Sequence, residues 1–217
     1  MAKYYTSDLH FGHDKIIQYC KRPFADAKEQ DRTLIANFNS VVGENDTVYH
    51  MGDFTYRNAF PPEHYLQQLN GQWFFILGNH DKVNQMRRLY SSCPGKVAGV
   101  EYYKEISTGH KGMNNVLFHY PIITWNHILR GWRHLYGHTH ANYIHPHPAA
   151  IHVGIDSTPY YFKEGLIKAP WMPLTEDDLD EIHTRQVVKS GVGANIREGN
   201  LRTRRTQSNF EAEPSTD

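Results

Sequence analysis

The chain has 217 residues, 23 basic and 23 acidic, and its formal net charge is zero, which disfavours a protein that coats nucleic acid through a basic surface. Two cysteines exclude a disulfide framework and a zinc site built on cysteines, and no apolar run is long enough to span a membrane. The N-terminal residues lack the apolar core of a signal peptide, so we expect a cytoplasmic protein. Histidine, with 15 residues, is unusually abundant.

The first half of the chain predicts strands that alternate with helices. Strands are predicted over residues 4–6, 47–51 and 73–77, and the last is a continuous apolar run, as expected for a strand covered on both faces. Helices are predicted over 15–20 and 27–42 and from Pro62 onward; in the second, Leu34, Phe38 and Val42 recur at helical spacing. This alternation predicts an α/β fold.

The second half of the chain is different. Short strands are predicted over 97–100, 116–118, 134–136 and 151–155, and helices only after Asn84 and over 177–182. We therefore predict one domain over residues 1–184. Residues 185–217 contain few large apolar side chains and clustered arginines, which predicts a disordered or loosely packed C-terminal tail. A basic arm that contacts nucleic acid is the alternative for this segment.

Five motifs rich in carboxylate and imidazole groups each follow a predicted strand. They are Asp8-Leu9-His10, Gly52-Asp53, Gly78-Asn79-His80-Asp81, His119 and Gly137-His138-Thr139-His140. Ligands bind at the carboxyl ends of strands in open α/β sheets, and alternate residues of an extended segment point the same way. Each motif alone could be a turn cap or a core histidine. Their shared position at strand ends favours a metal site.

The order of these motifs resembles the calcineurin-like metallophosphoesterase superfamily. The segment from Asp8 to His13, together with Arg22-Pro23-Phe24 and His50-Met51-Gly52-Asp53-Phe54, is similar to its small bacterial and phage-encoded members. The resemblance implies two packed mixed β-sheets flanked by helices, in a four-layer sandwich. One position departs from the pattern: many relatives have an aspartate where this chain has Tyr56. That departure bears on local geometry and substrate.

The resemblance also implies a centre with two divalent metal ions. By this resemblance, Asp8, His10 and His140 hold one ion, Asn79, His119 and His138 hold the other, and Asp53 bridges the two. Imidazole and carboxylate ligands suit Mn²⁺, which we favour, and also Fe²⁺, Zn²⁺ and Ni²⁺.

Two neighbouring residues are candidate catalytic groups. We expect His80 to donate a proton or a hydrogen bond to a substrate oxygen, and Asp81 to fix the tautomer and orientation of His80. The candidate substrate contacts are Asn79, His13 on the rim of the site, and Arg22, whose guanidinium group matches phosphate oxygens. Arg130 and Arg133 are further candidates of the same kind.

These residues together predict a phosphoesterase that uses a metal-activated hydroxide. A nucleotide-type or other small phosphodiester is the favoured substrate, because a short chain without a large capping domain leaves an open site. A phosphomonoesterase acting on a small substrate is the alternative. A non-catalytic scaffold is disfavoured, since all seven ligand positions and His80 are present. A nuclease acting on a duplex would require a basic groove, and the zero net charge of the chain disfavours this alternative. We expect no membrane partner, and the sequence leaves the oligomeric state open.

Overall fold

A computed structural model describes residues 1–56 and 60–190 of the chain. Its α-helices are α1 (Asp14–Cys20), α2 (Ala27–Val41), α3 (Pro62–Leu66), α4 (Val83–Ser92), α5 (Thr158–Lys163) and α6 (Glu176–Ser190). Its strands are β1 (Lys3–Thr6), β2 (Thr47–His50), β3 (Gln72–Ile76), β4 (Val97–Glu101), β5 (Tyr103–Ser107), β6 (Asn114–Phe118), β7 (Arg133–Tyr136), β8 (Ala150–His152) and β9 (Leu174–Thr175).

The strands form two mixed sheets. The first has the order β4-β3-β2-β1-β9, in which β1 to β4 are parallel and β9 is antiparallel to β1. The second has the order β5-β6-β7-β8, in which β5 is antiparallel to β6 and the other pairs are parallel. A single bridge between Ser7 and Gly154 links the segments that follow β1 and β8. The predicted fold class, two mixed sheets flanked by helices, is confirmed.

Side-chain alternation along the first sheet separates two cores. Tyr4 packs with residues of the helices, whereas Tyr5 packs with residues of the second sheet, because successive side chains of a strand point to opposite faces. The core between the sheets includes Tyr5, Met51, Ile76, Leu117, Leu135 and Ile151. The core between the first sheet and its helices includes Val48, Phe75, Leu34, Phe38, Leu66 and Leu89. Apolar side chains therefore pack on both faces of the first sheet, and the five motifs follow the ends of strands.

Several elements differ from the sequence prediction. Strands β5 and β9 and helix α5 were not predicted: β5 is an edge strand with one buried residue, and β9 has two residues. Strand β8 ends at His152, and the chain then forms a 3-10 turn over Ile155–Ser157. Helix α6 continues to Ser190, beyond the predicted domain boundary at residue 184. The rest of the predicted tail lies outside the described residues, so its disorder stays a prediction.

None of the helices within the described residues combines the length and the apolarity needed to cross a bilayer.

Arg133 connects helix α6 to the second sheet. Its guanidinium group is fully buried at the start of β7, where it pairs with Asp180 at 2.7 Å and Glu176 at 3.1 Å and donates to the Asn115 amide oxygen at 2.8 Å. The motif that follows β7 lies at the other end of this strand. Arg133 is therefore a structural residue, and its candidacy as a phosphate contact is wrong.

We expect Arg133→Met to destabilise the protein by about 3 kcal/mol, because it removes a buried cation. Within the described residues, Glu176 then has no cationic partner, and Asp180 keeps only Lys111 and His110. Chemical denaturation monitored by circular dichroism measures this change. The exposed Arg130 supplies the matched control, since Arg130→Met removes a charge that makes no buried ion pair. Equal stability of the two variants would contradict the assigned role.

Candidate metal centre

The seven predicted ligand residues follow the carboxyl ends of strands in both sheets. Asp8 follows β1, Asp53 follows β2 and Asn79 follows β3, whereas His119 follows β6 and the pair His138 and His140 follows β7. Parallel strands end at a common edge of their sheet, and the two edges meet near the bridge between Ser7 and Gly154. The fold thus brings together side chains that are up to 132 positions apart in the sequence.

Asp8, His10 and His140 form the first group of candidate ligands. Each offers one ligand atom, and the three atoms lie within 4.8 Å of one another. His10 is 1% exposed, and neither of its ring nitrogens has a hydrogen-bond partner within the described residues. Burial lowers the pKa of His10 well below its usual value, which keeps the ring neutral. A buried imidazole with two unpartnered nitrogens is costly, and a neutral ring is the form that binds metals.

Asn79, His119 and His138 form the second group. The side-chain oxygen of Asn79 lies 3.0 Å from Nε2 of His119 and 2.9 Å from Nδ1 of His138. The other ring nitrogen of His119, Nδ1, lies 2.7 Å from the carbonyl oxygen of Met51, to which an N–H at that position donates. This hydrogen bond leaves the Nε2 lone pair directed at the group. Burial also lowers the pKa of His138.

Asp53 lies between the two groups. Its Oδ2 atom is 3.6 Å from Nε2 of His10 in the first group and 3.6 Å from Nε2 of His119 in the second. Asp8, Asp53 and His119 also form a set whose ligand atoms lie within 4.8 Å. Asp8 is therefore close to both groups, although the sequence motif associates it only with the first. Oxygen and nitrogen donors on two sides of one carboxylate fit a pair of divalent ions.

The backbone is strained at five of the seven ligand positions. Asp8, His10, Asp53, His138 and His140 all have φ between 47° and 69°. This left-handed region costs roughly 1–2 kcal/mol for a residue with a Cβ atom, and such strain is concentrated at functional sites. The packed strands on either side hold these turns in place, so the strain supports a functional role for the ligand turns.

Glycine is required where the motif backbones approach the ligands. A Cβ atom on Gly52 would lie 2.5 Å from Nδ1 of His119, and this glycine has a φ of 95°. A Cβ atom on Gly137 would collide with the side chains of Asp8 and Ser7. The Gly-Asp and Gly-His motifs therefore owe their glycines to close packing between the two sheets.

Asp156 is a component of the centre that the sequence motifs do not reveal. Its Oδ2 atom lies 2.8 Å from Nδ1 of His140, and Arg22 donates to both of its oxygens at 2.8 and 2.7 Å. Although burial raises it, Arg22 and His140 hold the pKa of Asp156 near 2. A proton on Nδ1 of His140 leaves Nε2 free as a ligand. The sequence does contain one indication of a role for Asp156, because this residue directly follows a predicted strand, as the motif carboxylates do.

Arg22 was predicted to contact substrate, and the structure assigns it another role. Besides binding Asp156, it donates to the backbone oxygens of Asp8 and Leu9 and to the side-chain oxygen of Gln30. These bonds engage all five N–H groups of the guanidinium, and the side chain has no exposed surface. The substrate prediction is therefore wrong, because it considered the charge of Arg22 without its protein partners. Arg22 positions the turn of Asp8 and the ring of His140.

Asp81 also differs from its predicted role. Its carboxylate accepts hydrogen bonds from the backbone N–H groups of Asp53, Phe54 and Gly78, and no described contact joins it to the ring of His80. Burial and the neighbouring Asp53 raise the pKa of Asp81 to about 6. Asp81 thus fastens the loop after β2 to the loop after β3. The expectation that it orients the His80 ring is wrong.

Aromatic rings surround the centre. His13 stacks on Tyr56 with 3.6 Å between ring centroids, and the His13 centroid lies 5.4 Å from that of His10. Near the second group, the Tyr120 centroid lies 4.7 Å from that of His138. His80 is exposed, and its centroid lies 5.4 Å from that of His10. His13 and His80 therefore lie beside the predicted ligands, and their contacts with a substrate stay predictions.

Comparison with known proteins identifies the class of this chain. The profile of calcineurin-like phosphoesterases matches residues 4–155, and the chain belongs to this family, whose members use divalent metals and act on phosphate esters. The chain is 37% identical over 147 residues to an uncharacterised protein of Methanocaldococcus jannaschii, an alignment that covers 67% of this chain and 73% of that protein.

Two further similarities agree with this class. The gene 66 protein of Mycobacterium phage L5 is 31% identical over 181 residues, covering 71% of this chain and 86% of the phage protein. A solved structure of a protein of unknown function from Aquifex aeolicus, 22% identical, covers 83% of this chain and 98% of its own with a TM-score of 0.59. The latter similarity supports the fold alone.

We expect Asp156→Asn to weaken metal binding by about tenfold, because the neutral amide no longer forms the two-oxygen pair with Arg22 that holds the His140 ring. Calorimetric titration of the metal-free protein with Mn²⁺ measures this effect. Glu44→Gln is the control, since Glu44 is exposed and belongs to none of the candidate ligand groups of the described residues. Unchanged affinity in a folded Asp156→Asn protein would refute the positioning role of Asp156.

Proposed function

We propose that this protein is a two-metal hydrolase of phosphodiesters. The observation that carries the proposal is the position of Asp53, whose Oδ2 atom is equally distant from a ligand nitrogen of each group. A single carboxylate between two sets of nitrogen and oxygen donors is the arrangement that two neighbouring divalent ions require.

The two ligand groups define which residues would hold the ions. Asp8, His10 and His140 would hold one ion, Asn79, His119 and His138 would hold the other, and Asp53 would bridge them. Nitrogen and oxygen donors suit Mn²⁺, our first choice, as well as Fe²⁺, Zn²⁺ and Ni²⁺. When bound, the ions would supply Lewis acidity toward the phosphoryl group and an activated water as nucleophile.

His80 would act as the proton donor. Its backbone N–H donates to Oδ1 of Asp53 at 2.9 Å, which holds the residue beside the bridging carboxylate, while its exposed ring is outside both ligand groups. The exposed ring could therefore donate to a leaving oxygen of the substrate. The Asn79 side-chain oxygen faces the two histidines, so its NH₂ group can donate to a phosphoryl oxygen.

Charge and shape favour a diester over a monoester. A phosphomonoester carries between one and two negative charges near neutral pH, whereas a diester carries one. Within residues 1–56 and 60–190, the arginine whose charge acts on His10 and His13 is Arg22, and its N–H groups are engaged by the protein. The rings of His13, Tyr56 and Tyr120 offer apolar surface to a second ester group, such as a nucleoside.

Metal removal tests the proposal directly. We expect the Mn²⁺-loaded protein to hydrolyse bis(p-nitrophenyl) phosphate faster than p-nitrophenyl phosphate, to lose activity after prolonged chelation, and to regain it with added Mn²⁺. Nitrophenolate absorbance measures each rate. Faster monoester cleavage would replace our substrate class with the monoester alternative. Full activity after complete metal removal would contradict the two-metal site.

His80 can be separated from the metal ligands. We expect His80→Ala to lower kcat for the diester by about 100-fold or more, the range associated with a general acid, while the bound Mn²⁺ measured by elemental analysis stays unchanged. His64→Ala, which removes an exposed histidine from α3, is the matched control. Normal turnover by the His80 variant would exclude this residue as the proton donor.

A further inference from the structure

A cavity of about 450 Å³ lies outside the candidate metal centre. It is open to solvent and is lined by the segment 141–148, which crosses from β7 to β8, together with helices α5 and α6. None of the seven ligand positions lines it. Its volume falls within the range of roughly 300–1,000 Å³ that small-molecule sites occupy.

The lining of this cavity is mainly apolar and aromatic. Tyr136 and Tyr161 are buried in its wall, and Tyr143, Ile144 and Tyr160 line it with exposed side chains. Ile144 is 86% exposed. An apolar molecule in the cavity would remove part of this surface from water, which is favourable.

Two buried polar atoms of the lining residues have no partner within the described residues. They are Nε2 of His152 and Oε1 of Gln186. Nδ1 of His152 accepts from the backbone N–H of Gly154 at 3.2 Å and faces the Ser157 hydroxyl, so the proton of the neutral ring is on Nε2. His152 therefore offers a donor and Gln186 an acceptor, and a ligand hydroxyl group could satisfy both.

Two cationic side chains lie on the rim of the cavity. Arg185 and Lys189 of α6 both line it, and Lys189 pairs with Glu164 at 2.9 Å. Arg185 is exposed and makes no ion pair or hydrogen bond within the described part of the chain, although its charge joins that of Lys189 in lowering the pKa of the Glu164 carboxyl. Its guanidinium group is suited to a carboxylate.

We propose that this cavity binds a small organic acid with an aromatic body, a hydroxyl group and a carboxylate. The hydroxyl accepts from Nε2 of His152 and donates to the Gln186 side chain, the body contacts the tyrosines, and the carboxylate faces Arg185. This second site goes beyond the proposed hydrolysis and does not depend on it.

Calorimetric titration of the full-length, Mn²⁺-loaded protein with 6-hydroxy-2-naphthoate tests the proposal. Saturating inorganic phosphate is present to occupy anion positions at the metals. We expect 2-naphthoate, without the hydroxyl, to bind about tenfold more weakly, the effect of about one lost hydrogen bond. We expect 2-naphthol, without the carboxylate, to bind about threefold more weakly, as for an exposed charge. No binding of the hydroxynaphthoate, or equal binding of all three compounds, would overturn the proposal.

Variants on one helix locate the binding. Gln186→Trp fills the cavity and should weaken hydroxynaphthoate binding at least tenfold, whereas Val188→Trp, at a position 71% exposed and outside the lining, should not. Gln186→Leu, a milder change, removes the acceptor for the ligand hydroxyl group. It should therefore reduce the difference in affinity between 6-hydroxy-2-naphthoate and 2-naphthoate. Wild-type binding by both Gln186 variants would place the ligand elsewhere and refute the site. If the wild-type Mn²⁺-loaded protein binds the hydroxynaphthoate but does not hydrolyse phosphate esters, only the proposed function is refuted.

Discussion

The buried ion pair between Arg22 and Asp156 is the interaction on which the candidate centre depends. Arg22 follows α1 and belongs to the first half of the fold, whereas Asp156 follows β8 of the second sheet. One guanidinium group thereby holds the carbonyl oxygens of Asp8 and Leu9 and, through Asp156, the ring of His140. A buried pair of this kind is costly to form and costlier to break. Its contribution here is geometric, because it fixes the distance between candidate ligands that follow strands of different sheets.

The same region shows how local strain and close packing support each other. The left-handed turns at Asp8, Asp53 and His138 would relax if their flanking strands were free. The backbone N–H of His138 donates to both oxygens of Asp8. The Asp81 carboxylate accepts hydrogen bonds from three backbone N–H groups of the loops after β2 and β3. These hydrogen bonds hold the turns while leaving ligand atoms directed inward. The packing of the two sheets and these hydrogen bonds therefore hold the candidate ligand positions in place.

The alternation of strands and helices predicted an α/β fold, and the resemblance carried by the order of the motifs implied the two packed sheets. The gathering of the candidate ligand residues was predictable because their positions at strand ends follow from local hydrophobic runs. The roles of Arg22 and Asp81 were not predictable in this way. Arg22 and Asp156 are separated by 134 positions, and their pairing is decided by packing between the two halves. Likewise, Asp81 is adjacent to His80 in the chain but bonds to backbone groups of another loop. Sequence proximity indicates a shared region, whereas hydrogen-bond partners depend on the folded backbone.

Tyr56 shows how a departure from the family pattern can change the surroundings of a site while its ligands are retained. At this position a carboxylate would add a negative charge beside His13 and His80, whereas Tyr56 stacks on His13 and lies 5.2 Å from the His80 ring, centroid to centroid. A neutral aromatic ring does not repel an anionic ester, and it offers a face on which a planar group can stack. The substitution thus removes a charge that would oppose an anion and adds surface for its ester group. Both effects support the proposed phosphodiester substrate, whose second ester group can stack on this ring.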